Sequence, residues 1–142
     1  MAEHYWIWSI EETIPSRRGA GDSVIQRILS QLEEHEWIQS DAFGIHLALE
    51  EAVTNAIRHG NNLDADKNVR VACHISDDRL LVEVEDEGPG FDPCRVPDPT
   101  DDENLELPCG RGIMLMRSFM CSVAFNESGN CVTMEKNRAN AS

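Results

Sequence analysis

The chain has 142 residues, which is one domain of ordinary size with little left over for a second. Its 41% hydrophobic and 27% charged residues describe a globular protein whose core needs no disulfide staples, and they exclude disordered and fibrous classes. A formal net charge of −14 argues against nucleic acid or an anionic membrane as partner, because phosphate surfaces bind through clustered cations. Five cysteines, none in a C-x-x-C pair, read as free thiols of a reducing cytosol rather than as a zinc site. Apolar stretches fall far short of the roughly 20 residues of a spanning helix. The first 18 residues show no basic leader followed by an apolar run, so a cytoplasmic protein is expected.

Residues 5–10, YWIWSI, are aromatic and β-branched and predict a strand. From Asp22, the residues Val24, Ile25, Ile28, Leu29 and Leu32 recur at helical spacing, which predicts a helix to about Glu36. A second helix is expected from an N-cap at Ser40 or Asp41 to about His59. Its apolar stripe holds Ile45, Ala48, Leu49, Ala52, Val53 and Ala56, and Gly60-Asn61-Asn62 stops it. Alternation predicts strands over 69–75 and from Leu80 to about Glu85, joined by a turn at Asp77-Asp78. Residues 92–109 form a long irregular segment with four of the six prolines, the kind of loop that tends to be functional or disordered. A helix over 113–120 and strands over 121–126 and 131–136 complete the order, with a frayed tail from residue 137 to 142. Antiparallel hairpins with helices on one face make a single α+β domain, a two-layer sandwich.

Three groups of residues carry chemistry. Glu51 and Asn55 stand four apart on the second helix, about 6 Å along one face. A carboxylate beside an amide oxygen can act as general base and as hard oxygen ligand for Mg²⁺. Arg58 and His59 follow one turn later. Asp86-Glu87-Gly88-Pro89-Gly90-Phe91 comes directly after a strand: the glycines allow close backbone approach, and Asp86 can accept from an exocyclic amine such as that of adenine. Gly110-Arg111-Gly112 opens a helix whose free N–H groups can hold an anion, with Arg111 adding a donor fork. Each group taken singly also has a plain structural reading: a solvent-facing pair, a strand-exit turn, a helix start after glycine.

Taken in order, EAVTNAIRHGN, DEGPGFDP and GRGIMLM resemble the motifs of the GHKL ATP-binding superfamily. The likeness covers about residues 10–136 and is nearest to the short anti-sigma-factor serine/threonine kinases of bacterial partner-switching systems. It implies the Bergerat fold, a mixed, mostly antiparallel sheet with helices on one face, and ATP with Mg²⁺ as cofactors. It implies Glu51 as general base, Asn55 as Mg²⁺ ligand, Asp86 as the adenine contact and Gly88 and Gly90 as the floor. Gly110 and Gly112 would approach the phosphates at the end of a lid spanning about 92–109, joined by Arg111, and Arg58 falls where some histidine kinases place a phosphate contact. The implied activity is phosphorylation of a small anti-anti-sigma protein together with sequestration of a sigma factor, by a homodimer. A non-catalytic, nucleotide-sensing binding module is the alternative. Two departures stand out: Gly129-Asn130 replaces a frequent Gly-Thr pair, and the lid carries Asp92, Asp98, Asp101, Asp102, Glu103 and Glu106 against Arg95 alone.

Overall fold

A computed structural model describes residues 6–61, 63, 64, 66–88, 114 and 116–138. The lid, Gly90, Gly110, Arg111 and Gly112 lie outside the described residues, as do residues 139–142. The element order is β1 (Trp8–Pro15), α1 (Asp22–Glu34), α2 (Gln39–Asn55), a π-helical turn (Ala56–Gly60), β2 (Asn68–Ile75), β3 (Arg79–Glu85), β4 (Ser122–Phe125) and β5 (Cys131–Asn137). Residues 114 and 116–119, ahead of β4, are helical.

The strands form one sheet in the order β1-β2-β3-β5-β4, and every neighbouring pair is antiparallel. Alternation puts Ile10, Ile14, Val69, Val71, Ile75, Leu80, Val82, Val84, Val132 and Met134 on one face. There they join Val24, Ile25, Ile28 and Leu32 of α1 and Ile45, Ala48, Leu49, Ala52 and Val53 of α2 in a single core. Each buried Ile, Leu or Val contributes about 1.5–3 kcal/mol, so this helix-on-sheet contact dominates the favourable side of folding. The other face is polar: Arg70 lies among Glu11, Glu83 and Glu85. No helix among the described residues is long and apolar enough to cross a membrane.

Several boundaries differ from expectation, each for a local reason. β1 runs on through Glu11-Glu12-Thr13, because eight residues pair in register with β2 from Trp8↔Ile75 to Pro15↔Asn68. Cross-strand pairing outweighs the weak strand preference of glutamate. α1 stops at Glu34 because Glu36 takes a φ of 60° and the Trp37 N–H reaches back to the Leu32 carbonyl at 2.9 Å, a Schellman closure without glycine. α2 starts at Gln39, with Ile38 rather than Ser40 or Asp41 as its N-cap; Asp41 sits buried in the first turn, 3.8 Å from Lys136. The tail is ordered further than expected. Asn137 belongs to β5, and the Arg138 guanidinium donates to the carbonyls of His35 (2.9 Å), Glu36 (2.8 Å) and Asp77 (3.1 Å).

Candidate functional site

α2 does not continue to His59 as a regular helix. After Asn55 the turn widens, and the Asn61 N–H bonds the Ala56 carbonyl, five residues back, at 2.9 Å. Isolated π-turns of this kind occur often at functional sites. Here the wide turn carries Gly60 against the exit of β3. A Cβ on Gly60 would lie 2.2 Å from Asp86 Oδ2, and one on Gly88 would lie 1.9 Å from the Gly60 carbonyl oxygen. Neither position admits a side chain as the groups now stand, so the helix end and the Asp86 turn meet backbone to backbone.

Beside this contact lies a small open cleft between the helix end and the sheet. Ala52, Asn55, Ala56 and Gly60 form its helical wall, Val84 and Val132 its apolar floor. Asp86, Met116, Phe125, Gly129, Asn130 and Cys131 complete its lining. A mostly apolar lining with one carboxylate suits an aromatic heterocycle that offers an N–H group.

Asp86 is only 8% exposed. Burial lifts its carboxyl above the ordinary value of 3.8, opposed by the Gly88 N–H donated to Oδ1 at 2.8 Å, raised again by Glu85 and lowered by Lys67. Asn130 brackets the same residue. Its carbonyl accepts the Asp86 N–H at 2.8 Å, and its Nδ2 donates to the Asp86 carbonyl at 3.3 Å. Asn126 holds that corner, its Oδ1 accepting the N–H groups of Gly129 (2.8 Å), Asn130 (3.0 Å) and Cys131 (3.2 Å). Glu51, one turn before Asn55, is half-buried, and its carboxyl is raised first by burial and then by the charge of Glu50. A higher pKa makes a carboxylate a better proton acceptor.

The structure therefore brings Asn55, Asp86 and the Gly88 backbone to one place, with Glu51 a turn away on the helix. Arg58 is not brought there. The wide turn leaves it exposed on a separate groove lined also by Arg18, Asp22, Glu50 and Thr54. Gly90, Gly110, Arg111 and Gly112, and the side chain of His59, lie outside the described residues. Sequence reasoning missed Gly60 and Asn61 as more than a helix stop. It also read Ala52 and Ala56 as plain core, although two small residues on an apolar stripe leave room for a ligand. The described cysteines are free; the thiol of Cys131, at the cleft, is pushed to about 11 by burial and then by Glu83 and Glu85, so it stays protonated at neutral pH.

Residues 16–136 match the model of the histidine kinase-like ATPase domain family. The chain belongs to that family. An anti-sigma F factor of Clostridium perfringens is 36% identical over 98 residues, covering 65% of this chain and 69% of that protein. A serine-protein kinase RsbW of Staphylococcus epidermidis is 32% identical over 98 residues, covering 63% of this chain and 62% of its own. Among solved structures, that of the RsbU and RsbW domains of Rv1364c from Mycobacterium tuberculosis superposes with a TM-score of 0.63 at 18% identity. It covers 92% of this chain, which in turn spans 32% of that larger one, and at this identity the likeness speaks for the fold alone. The helix-on-sheet layout of this chain and its likeness to that structure agree with the α+β sandwich expected from the sequence.

Proposed function

We propose that this chain is an ATP-dependent serine/threonine protein kinase that also serves as an anti-sigma factor, phosphorylating a small anti-anti-sigma protein and sequestering a sigma factor. One observation carries the reading: a single cleft joins the amide of Asn55 to the buried carboxylate of Asp86 across the Gly60–Gly88 contact. Adenine would lie against the apolar lining, with its 6-amino group toward Asp86. Its triphosphate would run past Asn55 toward Gly110, Arg111 and Gly112, and Gly90 would complete the turn after Gly88; those four roles rest on the motif resemblance.

The donors present suit Mg²⁺. No group of three or more His, Cys, Asp or Glu that could hold a metal is found among the described residues, and Mg²⁺ is commonly held by one or two protein oxygens plus substrate phosphates. Asn55 Oδ1 would be that ligand. When bound, the ion neutralises charge on the phosphates, a need made sharper by the chain's net charge of −14.

In the transfer, Glu51 takes the proton of the attacking Ser or Thr hydroxyl. The oxygen forms its bond to the γ-phosphorus as the bond to the β-γ bridging oxygen breaks, and ADP leaves. Phosphoryl transfer asks little covalent work of the protein, so one carboxylate and good positioning suffice. Glu51→Gln is expected to abolish transfer to the partner, by about 10²–10⁴-fold, while ATP affinity survives. Labelled-phosphate transfer measured beside calorimetry checks this. Unchanged turnover would reject Glu51 as base, and wild-type binding without any transfer would favour the non-catalytic module. A cytoplasmic homodimer is part of the same proposal.

A further inference from the structure

The cleft accounts for Asn55, Asp86 and the two glycines, but not for a deeply buried carboxamide near them. Asn61 is 1% exposed and follows the π-turn directly. Its carboxamide reaches three strands. Nδ2 donates to Ser16 Oγ at 2.8 Å, just past β1, and to the Asn68 carbonyl at 3.0 Å, at the start of β2. Oδ1 accepts the Glu87 N–H at 2.9 Å, in the turn that leaves β3. Ser16, itself fully buried, donates its hydroxyl to the Lys67 carbonyl at 2.6 Å, and the Glu87 carboxylate accepts the Asn68 N–H. Both amide hydrogens and the amide oxygen are thus satisfied, which makes a closed and rigid network.

Glu87 sits between Asp86 and Gly88, and the Gly88 N–H in turn fixes Asp86 Oδ1. The Glu87 amide is therefore the point at which the turn is tied to the helix end. We propose that Asn61 is a positioning residue for base recognition: by holding Glu87, it fixes the Asp86 carboxylate at the height of a purine 6-amino group, and so sets preference for 6-amino over 6-oxo purine nucleotides. The proposal rests on the nucleotide reading above. Without the Asn61 oxygen, the turn has no buried acceptor for the Glu87 N–H and drifts off Gly60. The carboxylate then loses its fixed height, while the apolar lining that stacks the ring remains.

The test compares the dissociation constants of ATP and ITP, whose 6-oxo group presents lone pairs where adenine presents N–H. Their ratio does not depend on how much of a variant is folded, so a loss of stability alone leaves it unmoved. The wild type should prefer ATP. Asn61→Ala should cut that preference about tenfold, the worth of one lost hydrogen bond, with faster hydrogen exchange at the Glu87 amide. Ser16→Ala removes one leg of the network and should cut it by about twofold to threefold. An Asn61→Ala protein that melts earlier yet keeps the wild-type ratio overturns the proposal. If that variant does not fold, an unchanged ratio in Ser16→Ala overturns it. A wild type that binds both nucleotides equally, or neither, removes the base-recognition reading itself and the role of Asn61 with it.

Discussion

At Asp86 the fold holds a carboxyl above its ordinary value of 3.8 because burial disfavours the anion more than the Gly88 N–H favours it. The folded protein therefore binds this proton more tightly than the unfolded chain, and unfolding releases it. Stability falls as pH rises through the window that opens at 3.8 and closes at the raised folded value. Asp86→Asn is expected to raise the melting temperature at pH 7 and flatten that slope, since the amide oxygen still accepts from Gly88. The same change should weaken ATP binding by about 10–100-fold, the worth of a hydrogen bond to a charged group. Melting curves across pH, set beside calorimetry, check both halves, and a variant both less stable and equally avid would contradict them. On the proposed reading, stability is here given up for a binding group. Asn55 and Asp86 stand out in the sequence, the one as an amide inside the apolar run AVTNAI, the other as a carboxylate at a strand end ahead of two glycines. Asn61 was not, since an asparagine after glycine at a helix end looks like an ordinary stop. Its partners Ser16, Asn68 and Glu87 are 45, 7 and 26 residues distant in the chain.

Among the elements, the helix α2 was legible in its body and misread at both ends. Apolar spacing marks its interior well, but a π-turn changes one hydrogen-bond register and leaves no mark in composition. Arg58, placed by regular helical spacing near Asn55, stands instead on the groove of Glu50 and Thr54. Gly60 tests the purpose of the wide turn. Its φ is not left-handed, so the backbone accepts alanine, and any penalty comes from the contact with Asp86. Gly60→Ala is expected to cost about 1–3 kcal/mol in denaturant titration, as overpacking does, and to weaken nucleotide binding. An alanine variant as stable and as avid as the wild type would show that the turn has slack. The strands were easier to read, because alternation in β2, β3 and β5 is regular. β1 was foreshortened because its middle is acidic, and only pairing with β2 reveals it as strand.

For the molecule as a whole, the α+β layout followed from the order of elements, whereas the strand order did not, because neighbours β3 and β5 are separated in sequence by residues 86–121 and β4. Among the described residues, that order leaves β1 and β4 at the two edges. An edge strand offers unpaired backbone groups, and β1 carries Ile7 beside it with 42% exposure, so pairing of two copies along β1 is the expected route to the proposed homodimer. Sedimentation should show a dimer, and a Thr13→Pro variant should shift it toward monomer; wild-type monomer at high concentration would refute this arrangement. The cleft has one wall from the helices and its floor from the sheet. Any purine seated there becomes mortar in the seam between the two layers. At a hundredfold excess over its dissociation constant, a ligand adds about 2.7 kcal/mol to the cohesion of the fold. Emptying the cleft would loosen that joint throughout its length, so fuel supply and mechanical firmness rise and fall together.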